Sequence, residues 1–149
     1  MTGMPLRRSE AAAALIREWR GSGWVYLCQW SDSWRAAHFV GGHREGGESF
    51  RECAVREALE ELPVRPNDLW VPDEPLAHLE YVALSWSAGV PTAYAISVFR
   101  VSLATAARPG VDARPENLWV ARAEARAGRA ADGTRVSPTV DLILTMLGL

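Results

Sequence analysis

Three glutamates crowd one end of a single predicted helix. Glu57, Glu60 and Glu61 lie between Ser49, a helix-capping residue type, and Pro63, which stops helices. Glu52 falls three residues after Ser49 and completes a capping box, so a helix is predicted over residues 50–61. At 100° per residue, Val55, Ala58, Leu59 and Leu62 form one apolar stripe, the predicted core face. The three glutamates share the opposite, outward side within an arc of about 100°. Local stability does not ask for them there. Like charges three or four apart cost a few tenths of a kcal/mol per pair, and the last helical turn favours cations. One reading is a solvated acidic face with an Arg56–Glu60 ion pair. The other is a divalent cation: carboxylates with a backbone carbonyl and waters suit Mg²⁺ or Mn²⁺, and neither the Cys nor the His spacing suggests zinc.

The elements that must hold this helix follow from the rest of the chain. Residues 24–30 and 36–40 are rich in strand formers, the first preceded by a Gly-rich turn at 19–23 and the second ending at Gly41-Gly42. Residues 11–18 alone fit either a helix or a strand, but a turn at 19–23 between two strands suits the pattern better, so a hairpin with 24–30 is predicted. A polar loop holding Trp34 and Arg35 separates 24–30 from 36–40, and a loop over 43–48 leads into the helix. Strands are predicted at 69–71, 77–86, 92–103 and 118–121, loop at 104–117, and an exposed Ala/Arg/Gly-rich stretch at 122–134. Ser137-Pro138 opens a terminal helix over 138–147. This mixture is an α+β pattern. The 149 residues contain no repeat and no linker, which fits a single domain.

With 48% apolar and 23% charged residues, disorder is excluded. All 16 basic residues are Arg, against 18 acids, for a net charge of −2; without a basic excess, nucleic acid is not an expected partner. No apolar run reaches the ~18 residues that span a membrane. Arg7-Arg8 precedes an apolar run too short for a signal peptide. Cys28 and Cys53 read as buried free thiols, so a cytoplasmic location is expected.

The segment from Gly42 to Val64 closely resembles the Nudix box, G-x5-E-x7-R-E-U-x-E-E-x-G-U, where U is aliphatic. Gly42, Glu48, Arg56, Glu57, Glu60 and Glu61 occupy its Gly and charged positions in register. Ala58 and Val64 fill the aliphatic positions, and Gly41, Glu45 and Gly47 also match family usage. Pro63 stands where the box has Gly. It cannot adopt φ > 0, so the helix must end differently beside Glu61. The resemblance covers 23 residues and implies an α/β/α sandwich, a mixed β-sheet flanked by helices, as one Nudix-like domain over 1–149.

It also implies a chemistry: Mg²⁺-dependent hydrolysis of a diphosphate linkage in a nucleoside diphosphate joined to another group or in a nucleoside triphosphate, with Mn²⁺ as alternative metal. In that reading Glu57 and Glu61 are the main ligands, and Glu60 is a further ligand or the base for water. Gly42 lends a carbonyl, Arg56 orients the carboxylates, and Glu48 secures the loop–helix junction. Glu116, before a short strand, is the candidate for an additional acid from a later loop. For the nucleotide, Trp30 and Trp34 are candidates to stack on a base, Gln29 to bind its edge, and Arg35 and Arg44 to meet phosphate. Tyr81 lies 17 residues past Val64, a spacing associated with dinucleoside polyphosphate hydrolases. Trp86 and Trp119 are assigned to the core. A homodimer is a family-level expectation. Two alternatives stand beside the hydrolase: a non-catalytic nucleotide-binding or regulatory module of the same fold, and an isoprenoid diphosphate isomerase, which would want Cys and His lining a dry pocket.

Overall fold

The computed structural model describes residues 6–85 and 88–149. The stretch that alone fits either a helix or a strand is β1 (Arg7–Leu15), followed after one residue by β2 (Arg17–Arg20). Alanine favours helices in isolation, but here tertiary packing decides. β1 pairs antiparallel with β4 (Ala36–His43) and parallel with β7 (Pro91–Arg100), and both of its faces are covered. Ala12 and Ala14 point to one side of the sheet, Ala13 and Leu15 to the other, and all four are buried.

β3 (Gly23–Ser31) completes the expected hairpin with β2 and also pairs with β4. The sheet runs β2-β3-β4-β1-β7-β6, with β6 (Ala77–Leu84) at one edge. A further strand, β9 (Asn117–Ala121), pairs with β3. A small second sheet joins β5 (Leu69–Trp70) to β8 (Ser102–Leu103). Residues 92–103 are thus two strands rather than one. Trp86, assigned to the core from the sequence, lies outside the described residues.

Helices cover both faces, giving the expected sandwich. α1 (Phe50–Glu61) packs on one face with Ala12, Ala14, Leu27, Val40 and Phe99. The other face is covered by α3 (Arg122–Ala127) and α4 (Pro138–Met146), through Ala125, Val140, Ile143 and Leu144. The 122–134 stretch is largely exposed as expected, but it contains α3, which buries Ala125. Ala121 offers no capping oxygen, so the usual start signal is absent; the Glu124 carboxylate instead accepts from the Ala121 N–H at 2.9 Å. The 104–117 stretch likewise holds a 3-10 turn and α2 (Arg108–Asp112), where Pro109 sits in the first turn.

The capping box of α1 is present as predicted: Ser49 Oγ accepts from the Glu52 N–H at 3.0 Å and Glu52 Oε1 from the Ser49 N–H at 3.1 Å. The buried face of α1 keeps Ala58 and Leu62 of the predicted stripe but is turned toward Cys53 and Ala54. Cys53, Ala54 and Ala58 are buried, joined by Leu62 just past the helix, whereas Val55 and Leu59 are half-exposed. Only small side chains fit where the helix lies against the β1–β4 backbone. This rotation brings Glu57 and Glu61 around toward β4. Replacing Ser49 by Ala should therefore cost about 1 kcal/mol of unfolding free energy with an unchanged denaturant m-value, measured by urea titration.

Candidate active site

The end of β4 and the last two turns of α1 meet at a pair of glycines, each there for a different reason. A Cβ at Gly41 would fall 2.3 Å from the Ala12 carbonyl oxygen of β1, inside the sheet. A Cβ at Gly42 would fall 2.3 Å from Oε1 of Glu57. The Glu57 carboxylate thus occupies the space a side chain at position 42 would take, and it is only 13% exposed. Glu61 lies beside it, half-buried, 3.4 Å from the Gly41 N–H, which donates to it. Glu60 differs, with 58% of its side chain exposed. The acids expected to share one outward face are therefore split: Glu57 and Glu61 turn inward, and Glu60 remains at the rim.

Electrostatics mark this pair. Burial, a hydrogen bond shared with Glu57, and the charges of Glu57 and Glu60 push the Glu61 carboxyl up to about 8. Arg56 counters the crowding. Its guanidinium donates to Glu48 at 2.8 and 3.0 Å, to Glu57 at 3.0 Å, to Glu60 at 3.3 Å and to the His43 carbonyl at 3.0 Å. Those bonds from Arg56, with one from the Glu45 N–H, hold the Glu48 carboxyl down at about 2. Burial pushes the Cys53 thiol up to about 11, so it stays protonated and donates to the Gly42 carbonyl at 3.4 Å.

Pro63 ends α1 without a left-handed residue. Leu62 takes the extended conformation that precedes proline (φ −110°, ψ 146°) while its N–H still donates to the Ala58 carbonyl at 3.0 Å. The freed Glu61 carbonyl accepts from Gln29 Nε2 at 2.9 Å.

A cleft of about 450 Å³ opens beside the pair. Gly41, Gly42, Glu60 and Glu61 line one part of it, and Gln29, Trp30, Trp34 and Glu116 another. Trp30 is anchored through its indole N–H to Asp32 at 2.9 Å, and its main-chain N–H donates to the Glu116 carbonyl. Two other candidates stand elsewhere. Arg44 pairs with Glu10, lies over the Phe50 ring at 5.2 Å and does not line the cleft. Tyr81 stacks on Tyr94 with ring centroids 5.3 Å apart, and it is Tyr94 that reaches the cleft. Trp119 is half-buried rather than core, with Arg108 4.3 Å from its ring. His38 and Arg114, not singled out in the sequence, also line the cleft. His38 could have been found as a polar residue interrupting an otherwise apolar strand.

Among the described residues no three His, Cys, Asp or Glu side chains form a ready metal cage. The donor set nevertheless fits a hard divalent cation: two inward carboxylates in contact and a third on the rim, with Gly42 packed against Glu57. The Glu61 carboxyl is raised first by burial and then by Glu57 and Glu60, and such a cation would relieve the repulsion among them.

Two outcomes are expected from this geometry. Gly41→Ala should destabilise the fold by about 1–3 kcal/mol, because the sheet backbone must shift, whereas Gly42→Ala should cost less, because only the flexible end of Glu57 must move. Denaturant titration of both variants distinguishes them. The second concerns pH, with divalent ions chelated. Between 4.5, the ordinary value, and about 8, the folded chain keeps a proton on Glu61 that the unfolded chain loses. The folded state binds more protons in that window, so stability falls as pH rises through it, and Glu61→Gln should flatten that fall.

Comparison with known proteins places the chain by fold and by family. The structure of the C. elegans Ap4A hydrolase superposes with a TM-score of 0.65 at 17% identity, covering 94% of this chain and 96% of that one. A Nudix hydrolase from M. smegmatis, RenU, gives 0.55 at 19% identity over 91% of this chain and 81% of that one. NrtR of Shewanella oneidensis, in a complex with a 27mer DNA, gives 0.54 at 14% identity over 77% of this chain and 52% of that one. These likenesses show the fold. No curated protein matches the chain in sequence at a significant level. The NUDIX domain family model matches residues 6–139, which takes in β1 through the first turn of α4 and the whole glutamate-bearing helix: the chain belongs to the Nudix family.

Proposed function

We propose that the protein hydrolyses a diphosphate linkage in a small nucleotide, a nucleoside diphosphate joined to another group or a nucleoside triphosphate, with Mg²⁺ as cofactor and Mn²⁺ as substitute. The observation that carries this is the inward pair Glu57–Glu61, packed on Gly41-Gly42 at the wall of the cleft. Glu57, Glu61 and the Gly42 carbonyl would hold the cation, with Glu60 beside them. Bound there, it supplies charge neutralisation for the phosphate oxygens and a lower pKa for the attacking water.

The remaining work falls to the protein's own groups. Arg56 keeps Glu57 and Glu60 oriented by charge-assisted hydrogen bonds, and Glu48 fixes Arg56 in turn. Glu60, on the exposed rim, accepts a proton from water as general base, and Glu116 is a further acid that borders the same cleft. Trp30 and Trp34 offer flat apolar surfaces for the base, while Arg114, 3.6 Å from Glu116, is the guanidinium that lines the cleft in place of Arg44. The isomerase alternative loses ground here, because neither Cys28 nor Cys53 lines the cleft. A small nucleotide is the partner this reading requires, and nucleic acid and membrane are not.

A panel of nucleoside triphosphates, nucleotide sugars, ADP-ribose and dinucleoside polyphosphates with Mg²⁺ or Mn²⁺ tests the proposal by phosphate release after phosphatase coupling. Turnover of at least one compound is expected. Glu57→Gln and Glu61→Gln should stay folded and lose about 100-fold or more in kcat/KM. Turnover unchanged in both variants would reject the assigned site. Silence across the panel with Mn²⁺ binding intact would instead favour the nucleotide-binding module.

A further inference from the structure

One buried polar atom in the cleft wall is unaccounted for. His38 Nδ1 lies 2.9 Å from the Phe39 carbonyl oxygen. A carbonyl only accepts, so Nδ1 carries the hydrogen and Nε2 is left as a bare lone pair. That Nε2 is shut off from solvent and has no hydrogen-bond partner among the described residues. A buried acceptor without a donor is rare in native proteins and asks for an explanation. Protonation does not offer one, since burial lowers the His38 pKa and keeps the ring neutral.

A second acceptor stands next to it. Gln29 and His38 are directly opposed across β3 and β4, so their side chains share one face of the sheet, and both line the cleft. The Gln29 amide NH₂ is committed to the Glu61 carbonyl. Its orientation is therefore fixed, and Oε1 is the end that remains to accept. Both residues belong to the aromatic part of the cleft wall, where Trp34 lies tilted over the His38 ring with centroids 4.5 Å apart and Nε2 is covered. Trp34 belongs to the turn between β3 and β4, and its N–H donates to Ser31 Oγ at 3.3 Å. Beside it Arg35 holds a left-handed φ of 51°. A ligand reaching Nε2 would have to displace the indole from the imidazole, and Trp34 lies outside the paired β3–β4 register, which ends at Ser31 and Ala36.

Resting on the nucleotide reading above, we propose that His38 Nε2 and Gln29 Oε1 form a subsite that selects bases carrying an exocyclic amino group. Two neighbouring acceptors with no donor between them match the two hydrogens of an amino group and oppose the lone pairs of a keto oxygen. A site built this way discriminates chiefly by leaving its own polar groups unpaired when the wrong base is bound.

The test compares substrates that differ at that group: GTP with ITP, which lacks only the 2-amino group, and CTP with UTP. The wild-type chain is expected to favour the amino-bearing member of at least one pair by about tenfold or more in kcat/KM, mainly through KM. His38→Leu should bring that ratio close to one, and His38→Gln, which keeps an acceptor, should restore part of it. Ratios near one for both pairs in the wild type, or a preference that survives His38→Leu, would overturn the proposal. A second readout does not need turnover. The chain has three histidines. In ¹⁵N-histidine-labelled protein the His38 Nε2 resonance, assigned by its loss in His38→Gln, should shift with GTP or CTP and not with ITP or UTP. Such a selective shift without hydrolysis of any nucleotide would uphold the subsite while the hydrolase reading failed. Hydrolysis with no shift on any nucleotide would do the reverse.

Discussion

Two carboxylates pressed together against a strand backbone set the terms for the rest of the site. Glu57 fills the space over Gly42, and Glu61 lies against the Gly41 N–H. A Cβ at Gly42 would displace the end of Glu57, and one at Gly41 would meet the Ala12 carbonyl of β1. The inward turn also fixes which residues α1 can bury, because Cys53, Ala54 and Ala58 are small enough to let the helix approach. In the absence of a cation, the local charge balance falls to Arg56, whose guanidinium joins Glu48, Glu57 and Glu60. Glu48 serves Arg56 rather than the cleft.

The proline at the box glycine shows how the same placement is reached by another route. A glycine would close the helix through a left-handed residue. Pro63 instead places Leu62, the C-cap, in the extended region. The carbonyl this releases at Glu61 is taken by Gln29 of β3. That bond ties the end of α1 to the strand that carries Trp30, so the acidic and aromatic parts of the cleft are held in one frame.

What the sequence revealed and what it hid divide along physical lines. The capping box and Pro63 are local signals, and α1 begins and ends where they predict. The helix's buried face is legible only in part, Ala58 and Leu62 but not Cys53 and Ala54, because periodicity says which residues share a stripe and not how the stripe is turned toward the sheet. Size was the missing criterion: large Val55 and Leu59 were preferred to small Cys53 and Ala54, although the glycines opposite call for small residues. β1 was ambiguous because an Ala-rich strand covered on both faces carries no alternation. Arg44 and Tyr81 lie near the cleft in sequence terms, but Glu10 and Tyr94 are the partners that place them, and both pairings are long-range. His38 shows in the sequence only as a polar residue in an apolar strand, whereas the lack of a donor at its Nε2 depends on the packing around it.

The charge distribution then explains how a chain of net charge −2 could suit a polyanionic ligand. Several of its arginines are spent on acids: Arg56 on Glu48 beside the site, and Arg44 on Glu10 and Arg108 on Glu18 away from it. The cleft itself is lined by Glu60, Glu61 and Glu116 against Arg114, with neutral His38 beside them. A phosphate chain entering such a cleft meets more carboxylates than guanidiniums, and Coulomb repulsion across a few ångströms of partly dry protein is substantial. A divalent cation held by the proposed carboxylate pair would relieve that unfavourable field. On the nucleotide reading, affinity for the phosphates and occupancy of the cation site are therefore linked, each strengthening the other, while selection of the base rests on uncharged groups that feel neither.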